Sequence, residues 1–184
     1  MLTRSALTIC ALLYTSTAHS QTLTVAGGQT IRASSTEHDA YRVEMNFGWK
    51  PEFWSNDSWV LSLNHAISVM TFRDVNNVNA VSWAPNIILT SRKKTGIYPY
   101  VQLSFGAAYL SNDQFQSKPK PHPCNCREGF TDMGSHGQFE SSFALGLTKN
   151  RFSIRAKIYH YSNANIANEN EGMDVAELGV SYSF

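Results

Sequence analysis

Three residue types able to open an ester stand near one another in the last quarter of the chain: His160, Ser162 and Asp174. A serine hydroxyl is a weak nucleophile until a neighbouring imidazole accepts its proton. An acid beside the imidazole fixes its tautomer and stabilises its charged form. His160 and Ser162 are separated by one residue, so a strand rising roughly 3.3 Å per residue puts both on one face, about 7 Å apart at the backbone. Side chains leaning together can bridge that gap. A plainer reading competes: a histidine and a serine just beyond an apolar strand mark a headgroup boundary, and Asp174 is a loop-edge acid. Spacing alone favours this plainer reading, and His65, isolated on another apolar face, has no other.

The elements that must position these residues are strands. From Tyr41 to Trp49 the odd positions are Tyr, Val, Met, Phe and Trp, and the even ones Arg42, Glu44, Asn46 and Gly48, a period-two alternation that signals two environments. The same pattern recurs over Trp59–Val69, Val81–Thr90, Val101–Tyr109 and Phe139–Leu147. Two C-terminal strands, Phe152–Ser162 and Met173–Phe184, and a weaker first one, Leu23–Ile31, complete a set of eight. Pro85, on the apolar side of its strand, predicts a bulge or local irregularity because it lacks a ladder donor.

Arg42, Glu44, Glu140, Arg155, Lys157 and Glu177 all fall on polar faces. Three acids and three bases among small residues suit a narrow, mutually paired interior better than a solvated surface. The apolar faces then point to lipid. Counting at period two from Phe152 puts His160 and Ser162 on that outer face, and counting back from Phe184 puts Asp174 there too. The last two strands are antiparallel neighbours joined by a short link, so these residues meet at one rim.

A lipid environment is consistent with the rest of the chain. Residues 1–20 carry one basic residue, Arg4, an apolar run from Ala6 to Tyr14 and a small-residue end at Ala18-His19-Ser20, the marks of a secretory signal peptide. Cleavage after Ser20 leaves residues 21–184 as one domain, with 14 Lys plus Arg (15 less Arg4) against 14 Asp plus Glu. No field of one sign points to nucleic acid. Beyond the signal, no apolar run approaches the roughly 20 residues of a membrane helix. A membrane-spanning form must therefore be a closed barrel, since lipid cannot satisfy open sheet edges. The fold class expected is all-β, an eight-stranded antiparallel transmembrane β-barrel of the bacterial outer membrane. Short links at Pro51–Asp57, Ser91–Thr95 and Lys149–Asn150 would face the periplasm, and the long link Ser111–Ser135 the exterior. In the long link, Cys124 and Cys126 with His122 offer three nearby metal ligands without a fourth, or a strained local disulfide. An exposed loop with incidental thiols is the simpler reading, and neither metal nor cofactor is expected.

The stretch His160-Tyr161-Ser162-Asn163-Ala164 closely resembles the PagL family, the lipid A 3-O-deacylases of Gram-negative outer membranes. The similarity extends to the strand beginning Tyr41-Arg42, to Ser82-Trp83-Ala84-Pro85, to Tyr98–Tyr109 and to Asn163–Asp174. The resemblance implies an eight-stranded barrel with its active site on the outside at the outer-leaflet boundary, Ser162 as nucleophile and His160 as base. The family's acid is usually a Glu twelve residues after the serine, the position held here by Asp174. Its oxyanion donors come from the link after the serine, where a Gly usually stands at the position of Asn165. The amides of Ala164 and Asn165 and the side chain of Asn170 are the candidates here, and Glu169 and Glu171 are read as solvated loop acids. Lys118, Lys120 and Arg127 are candidates to meet lipid A phosphates, with a merely solvated loop as the alternative.

The expected partners are lipid A or lipopolysaccharide as substrate, the outer-membrane bilayer, and the barrel assembly machinery through the terminal aromatic Phe184. A homodimer is compatible with the sequence. Two other functions remain open at this stage: a non-catalytic barrel acting in adhesion or envelope stability, and another outer-membrane lipid esterase or acyltransferase.

Overall fold

The computed structural model describes residues 21–32, 38–73, 77–116, 130–167 and 169–184. Residues 1–20, read above as a signal peptide, and Lys118, Lys120, His122, Cys124, Cys126 and Arg127 lie outside them. Eight long strands close an antiparallel barrel: β1 (Gln21–Arg32), β2 (Asp39–Ser55), β3 (Trp59–Arg73), β4 (Val78–Ser91), β5 (Ile97–Leu110), β8 (Gly137–Lys149), β9 (Phe152–Ser162) and β10 (Met173–Ser183). Each pairs with its chain neighbour, β5 pairs with β8, and β1 joins β10 to seal the cylinder. A two-stranded hairpin of β6 (Gln114–Gln116) and β7 (Phe130–Asp132) occupies the long link that the sequence left without structure.

Several boundaries differ from the sequence expectation. Strand β2 runs through Pro51 to Ser55, with register shifts around Lys50, so the turn to β3 is only residues 56–58. At Pro85 the expected irregularity is present as a lapse in pairing rather than a bulge. Pro85 pairs with His65 of β3, and toward β5 the ladder lapses between Trp83↔Ala107 and Asn86↔Ser104, then resumes in the same register. The proline removes a donor without inserting a residue. His65 is also more than a boundary marker: its ring stacks between Trp49, at 4.9 Å, and Trp83, at 5.8 Å.

The alternation sorts as expected into an exposed apolar exterior (Val43, Val69, Val81, Leu103, Leu145, Ile154, Val180) and a buried interior. At mid-barrel the six charges form one network. Glu44 takes hydrogen bonds from Arg155 (2.5 Å), Lys157 (3.0 Å) and Arg42 (3.3 Å). Arg42 also reaches Glu140 at 2.9 Å, and Arg155 reaches Glu177 at 3.1 Å. Tyr161 donates its hydroxyl to Glu140 at 2.7 Å, and the Arg42 guanidinium lies over the Tyr159 ring, 4.1 Å from its centroid.

The interior is not polar throughout. Above the charges, toward the long loops, Met70, Phe72, Val78, Leu110, Tyr159, Tyr161, Met173 and Val175 form an apolar plug. Phe115 of β6 and Met133, just after β7, are fully buried in it. Below the charges, toward the short turns, lies a polar cavity of about 500 Å³ bordered by Thr24, Asn46, Asn64 and Gln102.

Because three cations converge on Glu44, Glu44→Ala leaves them facing one another in the buried lumen. Breaking a buried pair from one side costs about 3–5 kcal/mol. Reversible urea unfolding of the barrel in lipid vesicles is expected to show a loss of that size.

Candidate active site

In β9 the odd residues Arg155, Lys157, Tyr159 and Tyr161 are buried in the lumen, and the even residues Phe152, Ile154 and Ile158 are exposed. His160 and Ser162 continue the even, outward row. In β10, Val175 and Glu177 point inward, so Asp174 points out, and it pairs in register with His160. The structure therefore brings together the three residues at the rim where the sequence placed them.

His160 Nδ1 and Asp174 Oδ1 are 2.6 Å apart. A carboxylate can only accept, so the ring proton is assigned to Nδ1, which donates to Asp174, and the lone pair belongs to Nε2. The two side chains remain 42% and 23% exposed: the pair is open to an approaching ligand but shielded on the acid's side. The Ser162 hydroxyl, half-buried on the same face, hydrogen-bonds to no other group among the described residues.

The strand on the other side adds residues that sequence reasoning missed. Ser141 of β8 stands directly opposite His160, and Phe139 directly opposite Ser162. Phe139 stacks on Phe105 at 5.8 Å with an interplanar angle of 14°, making an aromatic shelf beside the serine. Ser141 is the polar exception on an otherwise apolar outer row, and that break was the available signal. Gly172 was also missed. It has φ +66°, and a Cβ there would come 3.1 Å from His160 Cε1. A glycine at this position both permits the left-handed turn and leaves room for the imidazole edge.

The link after Ser162 is organised by Asn163, 2% exposed. Its Nδ2 donates to the carbonyls of Met133 (2.8 Å) and Glu169 (2.6 Å). Its Oδ1 accepts from the Asn165 amide at 2.9 Å, and its own amide donates to Asn170 Oδ1 at 3.1 Å. Asn170 Nδ2 in turn donates to Asn165 Oδ1 at 3.0 Å. These bonds hold Ala164 and Asn165 at φ +53° and +60°, in the left-handed region. The Asn165 amide is thus turned into the loop, whereas no partner for the Ala164 amide lies among the described residues. Glu171, read as a solvated acid, accepts from the Asp132 amide at 2.7 Å and ties this link to β7. Among the described residues, no cluster of His, Cys, Asp and Glu fit to hold a metal ion is found.

Residues 39–183, which include every strand but β1, match the model of the family described as lipid A 3-O-deacylase (PagL). Over 105 residues the chain is 30% identical to the lipid A deacylase PagL of Bordetella bronchiseptica, a stretch covering 55% of this chain and 51% of that protein. The chain thus spans about half the length of this curated relative. Among solved structures, that of the outer membrane enzyme PagL superimposes with a TM-score of 0.73 at 20% identity, covering 88% of this chain and 98% of the other. Neisserial surface protein A gives 0.52 at 10% identity, covering 91% and 98%. Identities this low speak to the barrel alone, but the family match takes in every barrel strand except β1 and all three site residues: the chain is an outer-membrane β-barrel and belongs to the lipid A 3-O-deacylase (PagL) family.

Proposed function

We propose that this barrel hydrolyses the ester-linked acyl chain at position 3 of lipid A, through an acyl-enzyme on Ser162. The observation that carries the reading is the 2.6 Å contact between His160 and Asp174, on the lipid-facing row that also holds Ser162. A hydrolase for a membrane lipid has to meet an ester lying at the bilayer boundary, and an outward site lets the substrate arrive sideways within the leaflet.

In the proposed reaction the Ser162 oxygen attacks the ester carbonyl while His160 Nε2 takes its proton. Asp174 holds the ring by Nδ1 and stabilises the imidazolium. The reaction requires the Ser162 hydroxyl to come within reach of Nε2, and such pairs commonly tighten only when substrate is bound. Collapse of the tetrahedral intermediate releases the sugar oxygen, which leaves with the proton from His160. Water, deprotonated by the same nitrogen, then frees the fatty acid and restores the serine.

For the oxyanion we assign the unengaged Ala164 amide, with the second N–H of Asn170 Nδ2 beside it. Asn165 would act by shaping the turn, since its amide is held by Asn163.

Two measurements check this reading. In Ser162→Ala the mass spectrum of lipid A from cells carrying the barrel is expected to keep its full acyl complement, whereas the unaltered protein removes one chain; removal of that chain by the variant would overturn the assignment. Asp174→Asn preserves shape but not charge. It is expected to slow fatty-acid release on the order of 10³–10⁴-fold, as the corresponding change does in a serine triad, while folding and gel mobility stay unaltered.

A further inference from the structure

The charges outside the lumen are sorted along the barrel axis. The three short connections with the strand ends that enter them, residues 50–58, 91–96 and 149–151, hold six basic residues, Lys50, Arg92, Lys93, Lys94, Lys149 and Arg151, against two acids, Glu52 and Asp57. Over the whole chain the two kinds nearly balance, 15 against 14. At the opposite end the sign is reversed: the described residues there include Arg32 and Arg73 against Asp39, Asp113, Asp132, Glu169, Glu171 and Asp174. The short turns of such barrels face the periplasm, so the basic end lies at the inner leaflet.

The six cations are all exposed. Among the described residues, Arg92 alone of them has an acid within ion-pair reach, Glu52 at 3.6 Å. The others repel one another, and salt screens that repulsion only beyond a Debye length of about 8 Å. A rim with this surplus of one sign is stabilised by anions beside it.

Aromatic rings fix what lies beside it. Trp49, Phe53, Trp54 and Trp59 are exposed at this end of β2 and β3, a girdle of the kind that sits at headgroup level. The cations are built onto such rings. Lys50 Nζ lies over Phe53, 5.2 Å from its centroid, and the Arg92 amide donates to the Ser58 carbonyl at 2.8 Å, next to Trp59. On the other flank Lys149 pairs with Phe152, and Arg151 donates to the Tyr182 hydroxyl at 3.3 Å. The Tyr182 ring packs edge-on against Phe152 and Phe184, each at 5.1 Å. These charges therefore stand at the depth of lipid headgroups. Lys94 borders the mouth of the polar cavity and adds to the same field.

We propose that this basic collar binds the headgroups of anionic phospholipids in the inner leaflet. The phosphate of such a lipid accepts hydrogen bonds from Lys and Arg, whereas in a zwitterionic lipid the headgroup's own ammonium competes for it. The collar lies at the end of the barrel away from His160 and Ser162, and the proposal is independent of their chemistry. Held at this end, the barrel keeps a fixed depth in the membrane, and the opposite rim keeps its height with it.

The test is tryptophan quenching in the full barrel, folded into phosphatidylcholine vesicles that contain one lipid brominated on its acyl chains, either phosphatidylglycerol or phosphatidylcholine. Three of the four tryptophans, Trp49, Trp54 and Trp59, stand at the collar. At low salt, brominated phosphatidylglycerol is expected to be enriched roughly fivefold beside them, about what one lysine's attraction to an anionic surface gives. Near about 1 M salt, where the Debye length falls to about 3 Å, the enrichment is expected to vanish. Lys50→Gln/Arg92→Gln/Lys93→Gln is expected to bring it close to parity in a barrel that still folds, read from heat-dependent gel mobility. Arg73→Gln, at the long-loop end, is expected to leave it unchanged. The salt comparison uses the unaltered protein, so it decides alone if the triple variant does not fold. Equal quenching by the two lipids at low salt overturns the proposal, and if the barrel then sediments with isolated peptidoglycan the cations serve the cell-wall polymer instead. An enrichment that survives high salt, or one lost equally in Arg73→Gln, also overturns it.

Discussion

The charge network in the lumen is the constraint from which the rest of the arrangement follows. Arg42, Arg155 and Lys157 cannot be left in hydrocarbon, and each meets Glu44, Glu140 or Glu177 only if the sheet is rolled with these residues inside. Once Arg155 and Lys157 are fixed inward, the pleat of β9 sends Ile158, His160 and Ser162 outward. Once Glu177 is fixed inward, Asp174 follows to the outside on β10. The outward position of the site is thus imposed by buried electrostatics several residues away.

The two ends of the lumen differ. Toward the short turns it is a polar cavity, and toward the long loops an apolar plug. Phe115 and Met133, both fully buried, seat the β6–β7 region on the mouth of the barrel. The Asn163 side chain then joins Met133 to the link that follows Ser162. The rim that carries His160, Ser162 and Asp174 is therefore braced from within: packing in the plug holds Met133, Met133 holds Asn163, and Asn163 holds the strained turn at Ala164 and Asn165. Gly172 completes the frame by letting the chain turn beside the imidazole.

The strands were legible in the sequence because one face meets lipid and the other meets buried charge, which alternates apolar with polar residues along each strand. The network members, and the outward position of His160, Ser162 and Asp174, followed from that alternation alone. Ser141 and Phe139 escaped notice because they flank the site from β8, and lateral neighbours depend on register. The apolar plug was missed for a related reason. Tyr159, Tyr161 and Val175 sit on the same faces as Arg155, Lys157 and Glu177, and period two separates faces but not heights along a barrel.

By itself the sequence determined the strands, the side of the wall on which each residue stands, and the types of group gathered near the end of β9. These are local properties, set by the two-residue repeat of an extended chain. Only the tertiary structure decided that the Asn165 amide is consumed by Asn163, that Ser141 faces His160, and that the long link seats its hairpin on the lumen. Those outcomes depend on which residues of remote segments are brought to the same height, and that is fixed by the packing and pairing of the closed barrel as a whole.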